Sequence, residues 1–233
     1  MREKKKVRTR SWLQRLVYRW LRVTARLVAI SLYRVRVFGR ENWPSDGGAL
    51  VCANHQGFFD PVLVGLCCER QLSFLAKQSL FRFPLKTFIK KLNAIPVNRA
   101  GTGLDGLKET LKRLREDDFV LIFPEGTRSQ DGQIGRLRPG FIAVARHGRV
   151  PIVPIVFDGS FQAWPKWQLL PTAGVVHVKI GTPITPAEIA SLSDDELLER
   201  LQTEMHTMFA EVQASRSFAL NRIPADEQKA QLA

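Results

Sequence analysis

Between residues 12 and 30 the apolar side chains Leu13, Leu16, Val17, Trp20, Val23, Leu27 and Ile30 recur every three or four positions, and Arg15, Arg19, Arg22 and Arg26 follow the same period. That spacing predicts a helix with one apolar and one basic stripe. After Gly39 the pattern changes to short apolar runs alternating with helical stretches. Strands are predicted over residues 49–53, 72–76, 94–97, 119–123, 150–157 and 175–180, the fifth interrupted by Pro151 and Pro154. Helices are predicted over 61–70, 80–92, 104–114 and 139–147. Thr185, Pro186 and Glu188 have the form of a capping box with proline in the first turn, so a long helix is predicted from there toward Ala214. Strand and helix alternate throughout, which predicts an α/β fold: a largely parallel sheet flanked by helices, preceded by the N-terminal basic amphipathic helix.

Composition adds one decisive fact. The 233 residues are 45% hydrophobic and carry a formal net charge of +13, enough apolar material to bury a core and too much for a disordered chain. Thirteen Lys and Arg face the single Glu3 in residues 1–40, which leaves 22 basic and 21 acidic residues in the remainder. The body is nearly neutral, so the high overall charge does not point to nucleic acid as the partner of the body. A basic helix carrying tryptophans suits the headgroup layer of an anionic membrane, where the rings sit at the boundary and each cation contributes about 1 kcal/mol. Packing on the domain with a solvated arginine face, or a nucleic-acid arm, is the alternative for the same stripe. The apolar stretch from Leu27 to Tyr33 is too short to span a bilayer. Cys52, Cys67 and Cys68 have no metal-ligand spacing, and an odd number of thiols fits a reducing cytoplasm. The chain accordingly divides into a basic amphipathic membrane-associating segment (1–35), an α/β domain (36–215) and a polar tail (216–233).

In such a sheet, chemistry gathers beyond the carboxyl ends of the strands. Four polar segments occupy or follow those positions: residues 54–60, Asn98-Arg99, residues 124–129, and Asp158-Gly159-Ser160. His55 and Asp60 stand five apart across Gly57, a spacing that lets a turn return the carboxylate to one imidazole nitrogen and leave the other facing the crevice, as a general base requires. The same residues admit a structural reading, because Asp60 precedes Pro61 and Asp-Pro is a common helix start. Glu125-Gly126-Thr127-Arg128 follows an apolar strand, where glycine permits close backbone approach and arginine grips phosphate with two donors. Arg99 and Lys77 end two further strands and extend a cationic funnel. Gly101-Thr102-Gly103-Leu104-Asp105-Gly106 matches a dinucleotide-binding glycine pattern, but three residues separate it from the preceding strand and Pro96 interrupts that strand.

Residues 54–60, Ile95-Pro96-Val97-Asn98-Arg99, Phe123 through Ser129, and Val150 through Ile155, in that order, resemble the four sequence blocks of the glycerolipid acyltransferases, a family that includes bacterial 1-acylglycerol-3-phosphate acyltransferase. The similarity covers residues 36 to 183. Ala94 and Asn98 depart from the family's second block. The resemblance implies transfer of a fatty acyl group from an acyl thioester, carried on coenzyme A or acyl carrier protein as co-substrate, to the free sn-2 hydroxyl of a lysophosphatidate. It implies His55 as base and Asp60 as its partner, with Arg99, Glu125, Gly126, Thr127 and Arg128 at the acceptor and phosphate site; Lys77 is added on charge alone. No metal and no bound cofactor are implied. A lysophospholipid acceptor and an anionic bilayer are the expected partners, with peripheral or monotopic placement on the cytoplasmic face of the inner membrane. Another lysolipid acceptor, such as a lyso-ornithine lipid, and a noncatalytic anionic-lipid-binding domain are the competing expectations.

Overall fold

The computed structural model describes residues 20, 23, 24, 33–57, 59–68, 70, 72–77, 94–97, 104–165, 167, 168 and 170–222. Most of the predicted N-terminal helix, the helix expected over 80–92, Arg99 and the first two glycines of the dinucleotide-like run lie outside them, and of Lys77 only the backbone is described.

Seven strands form one sheet in the order β1-β7-β6-β2-β5-β3-β4. They are β1 (Tyr33–Phe38), β2 (Ala49–Ala53), β3 (Leu72–Lys77), β4 (Ala94–Val97), β5 (Phe119–Ile122), β6 (Ile152–Asp158) and β7 (Gly174–Ile180). Every neighbouring pair is parallel except β6 with β7. β2 lies in the middle between β6 and β5, and all five of its residues are buried. A strand covered on both faces carries no polar alternation, which is why it reads as the unbroken apolar run Ala49-Leu50-Val51-Cys52-Ala53. Successive side chains still point to opposite faces: Leu50 and Cys52 join the core beneath one set of helices, whereas Ala49, Val51 and Ala53 join the core on the other side.

The first face is covered by α2 (Leu104–Arg115), α3 (Gly140–Gly148), α5 (Pro186–Ser191) and α6 (Asp194–Leu220), the second by α1 (Asp60–Cys67) and the short α4 (Ser160–Ala163). α6 packs on β6 and β7, burying Leu197, Leu201, Met205, Met208, Phe209 and Val212 at helical spacing. Pro154 is tolerated inside β6 because the antiparallel ladder with β7 runs only from Ile155↔Ile180 onward, and the Pro154 carbonyl receives Gly181 N–H at 2.8 Å.

Three differences from the predicted elements have local causes. Tyr33–Phe38 is a strand that begins inside the stretch assigned to the basic segment up to residue 35; Tyr33 is buried, Arg34 and Arg36 are exposed, and Val35 and Val37 are half-buried. The single helix expected from Thr185 is two. The capping box at Thr185 and Glu188 forms as expected, and a second one, Ser193 with Glu196, restarts the chain as α6. α6 then continues to Leu220, into the stretch expected as a polar tail from 216.

Candidate active site

The carboxyl ends of β2, β5 and β6 converge around His55. Asn54 fixes the exit from β2: its side-chain amide donates to the Phe157 carbonyl and its carbonyl oxygen accepts the Phe157 N–H, both at 2.9 Å, so one buried side chain extends the β2–β6 ladder by a rung. His55 follows at the sheet's rim. Residues 55–60 then turn back, and α1 starts at Asp60 with Phe59 as its N-cap and no side-chain cap. The Asp60 carboxylate is thus not spent on the helix start that Asp-Pro also suggested.

It faces the turn instead. Asp60 Oδ2 lies 2.7 Å from His55 Nδ1 and accepts the backbone N–H groups of Gln56 and Gly57 at the same distance. Oδ1 accepts the Ser160 hydroxyl at 2.7 Å. Asp60 is fully buried, whereas the His55 side chain is 20% exposed. A carboxylate beside Nδ1 selects the tautomer that carries its proton there, leaving the Nε2 lone pair to accept one. Nε2 has no hydrogen-bond partner among the described residues. Phe123 stacks on the imidazole at 3.9 Å between centroids and 16° between planes, fixing the ring's tilt.

Glu125 is buried and acts on the backbone. Its Oε1 accepts His55 N–H at 2.7 Å and its Oε2 accepts Gly135 N–H at 2.9 Å. Burial pushes its carboxyl above the usual carboxylate range, against the pull of those two donors. Gly126 has φ +74°, a left-handed conformation that favours glycine, and a side chain there would meet the Arg138 guanidinium about 3.0 Å away. The backbone N–H of Arg138 donates to the Pro124 carbonyl at 2.9 Å and the backbone N–H of Ser129 to the His55 carbonyl at 2.7 Å, so the 124–129 turn is tied both to the histidine and to the 135–138 segment. A groove of about 290 Å³ opens along this turn, lined by Glu125, Thr127, Arg128, Ser129 and Arg136 among others. Partial burial lowers the Arg128 guanidinium from its ordinary value, opposed by the negative Asp60.

The structure therefore brings His55, Asp60, Glu125, Gly126, Thr127 and Arg128 together. Lys77 is the last residue of β3, two strands from β2 across β5. Four residues contribute without having been assigned a role by sequence: Asn54, Gln56, Phe123 and Ser160. Gln56 is buried, with its amide donating to the Gly132 carbonyl at 2.6 Å. Position was the available signal for Ser160, since Asp158-Gly159-Ser160 stands at a strand's carboxyl end like His55, but its bond to Asp60 spans 100 residues of chain.

Residues 34–158 match the family model described as Acyltransferase. A 1-acyl-sn-glycerol-3-phosphate acyltransferase of Bacillus subtilis is 30% identical over 181 residues, covering 77% of this chain and 88% of the relative. A protein of the same name from Pseudomonas aeruginosa is 30% identical over 216 residues, 84% of this chain and 77% of the relative. The crystal structure of the 1-acyl-sn-glycerophosphate (LPA) acyltransferase PlsC from Thermotoga maritima superposes with a TM-score of 0.75 at 26% identity, over 90% of this chain and 85% of that one. With the matched segment running from β1 through the end of β6 and including His55, Asp60 and residues 124–129, the chain belongs to the acyltransferase family and is an acyltransferase.

Proposed function

We propose that the protein transfers a fatty acyl group from an acyl thioester to the free sn-2 hydroxyl of 1-acylglycerol-3-phosphate, forming phosphatidic acid, with His55 as general base and Asp60 as its partner. The observation that carries this reading is the 2.7 Å contact of His55 Nδ1 with a buried carboxylate, beside a groove lined by Arg128. His55 Nε2 takes the proton of the acceptor hydroxyl while the oxygen attacks the thioester carbonyl. The tetrahedral intermediate collapses with loss of the thiolate, which recovers the proton from the imidazolium. Oxygen acylation and thiol release balance, and no acyl-enzyme is needed.

Arg128 and Thr127 supply donors for the acceptor phosphate at the groove, with Arg99 and Lys77 as further cations from the sequence reading. Glu125 serves through the backbone: both oxygens are engaged by N–H groups, so it sets the height of His55 and the wall at Gly135. The names of the relatives from Bacillus subtilis and Pseudomonas aeruginosa support lysophosphatidate as acceptor. Among the described residues no helix is long and apolar enough to cross a membrane. Access to a bilayer-resident acceptor is assigned to the basic segment 1–35, resting on the cytoplasmic face.

The test is a panel of acyl-coenzyme A and acyl carrier protein donors against lysophosphatidate, lyso-ornithine lipid and other lysolipids, with product lipids identified by mass. Phosphatidic acid formed with highest kcat/KM from lysophosphatidate is the expected result. Preferred acylation of another lysolipid overturns the acceptor assignment, and absence of transfer with every pair overturns the reading as a whole.

A further inference from the structure

The buried carboxylate of Asp60 has two oxygens, and only one of them serves the histidine. From the other we infer that Ser160 is a positioning residue for the reaction, holding Asp60 in the one orientation that presents Oδ2 to His55; this rests on the His55–Asp60 reading above.

Three features build the contact. The Ser160 hydroxyl donates to Asp60 Oδ1 at 2.7 Å; its other neighbour, Gln56 Oε1, is 3.4 Å away, so the single hydroxyl proton belongs to the carboxylate. Ser160, Asp60 and Gln56 are all buried, so water does not substitute for a lost donor without new space being made. Second, Gly159 has φ +106°, and a Cβ there would stand 2.1 Å from the Val175 carbonyl oxygen. Only glycine lets β6 end in this turn, and the turn sets Ser160 beneath the carboxylate. Third, a Cβ on Gly57 would come within 2.9 Å of the carbonyl oxygens of Ser160 and Trp164. The histidine turn and the 160–164 turn are therefore in backbone contact, and two glycines are required for it.

The consequence follows from counting donors. Oδ2 receives three N–H groups from one turn, residues 55–57, and these alone leave the carboxyl plane free to swing about the axis they define. Ser160 supplies the fourth donor from a different element, the first residue of α4, and fixes that plane. Without it the Nδ1–H···Oδ2 geometry loosens and the imidazole loses its aim, whereas the acceptor groove at 125–136 is untouched. A small misplacement of a catalytic group costs on the order of 10²-fold in rate, so loss of this donor is expected to lower kcat by about 10- to 100-fold with little change in KM.

The experiment compares wild type, Ser160→Ala, Ser160→Thr and His55→Ala in acyl transfer, with thermal unfolding and the low-field imidazole N–H proton resonance of each protein. The expected result is a kcat loss of that size in Ser160→Ala at nearly constant KM for the acceptor, a weakened or displaced low-field resonance, and recovery of both in Ser160→Thr, whose hydroxyl is retained. A wild-type kcat in Ser160→Ala with His55→Ala inactive overturns the Ser160 assignment alone. So does a loss that merely tracks the unfolded fraction while the resonance stays in place. Full turnover by His55→Ala overturns the dyad itself, and the Ser160 role with it.

Discussion

Replacing Asp60 with Asn keeps the side chain's volume and removes its charge. The three N–H donors on Oδ2 and the single hydroxyl on Oδ1 decide how an asparagine sits. Its carbonyl must take the Oδ2 place, because an NH2 there would oppose two backbone N–H groups. The NH2 then faces Ser160, whose hydroxyl can turn and accept. The imidazole stays where it was, and the loss is confined to electrostatics. When His55 takes a proton it becomes a cation, and two unit charges 2.7 Å apart attract by about 6 kcal/mol at an effective dielectric of about 20. The half of the imidazolium charge on Nδ1 alone gives about 3 kcal/mol, a lower bound of roughly 150-fold at about 1.4 kcal/mol per tenfold; the full figure gives about 10⁴. Asp60→Asn should therefore lower kcat/KM by about 10²- to 10⁴-fold, measured by following thiol release from the donor with lysophosphatidate as acceptor. Its circular dichroism should match wild type. A kcat/KM within fivefold of wild type would refute the argument that the carboxylate acts by charge.

Two further outcomes follow from other parts of the molecule. His177 is fully buried on β7, its Nδ1 3.1 Å from Ser215 Oγ and its Nε2 without a hydrogen-bond partner among the described residues; burial, then the charges of Arg36 and Arg216, lower it from the ordinary histidine value against the pull of Asp158. The unfolded chain takes up that proton first, so stability is full above pH 6.5 and is lost as the pH falls below it, by at most about 1.4 kcal/mol per pH unit; denaturant midpoints at pH 7.5 and 5.5 should fall less in His177→Phe, and parallel falls would contradict this. Removing residues 1–31, which stops short of the buried Tyr33, should reduce co-sedimentation with anionic vesicles while leaving turnover of a detergent-dispersed acceptor within a few fold; unchanged vesicle binding would remove the basic segment from the account.

The sheet was legible because buried strands leave mainly apolar runs, and six of its seven strands stand out in that way between helical stretches. β1 did not, although Tyr33, Val35 and Val37 alternate with Arg34, Arg36 and Phe38. The two arginines read as a continuation of the basic stripe that precedes them, and a period of two over six residues is easily overrun by a period of three and four over twenty. The break between α5 and α6 was written as a second S-x-x-E box at Ser193 and Glu196, masked by the long apolar periodicity on either side.

The site divides along the same line. His55 and Asp60 are five residues apart, so their pairing is a property of one turn and local spacing suffices to suggest it. Glu125 was expected at the acceptor and phosphate site, and it lines the groove there while its two oxygens hold backbone donors 70 and 10 residues away. Ser160 reaches Asp60 only because β2 and β6 are adjacent. Nothing local to either segment announces that pairing. Gly57, Gly126 and Gly159 are all places where another chain segment occupies the space a Cβ would fill.

The central claim is that the imidazole of His55 takes the acceptor's proton, and the most direct measurement of it is the kcat/KM of His55→Gln for acyl transfer to lysophosphatidate beside that of wild type, with both proteins shown to be equally folded. Loss of about 10²- to 10⁴-fold, the range general-base catalysis supplies, is the predicted result. Turnover within fivefold of wild type by the folded variant would contradict it.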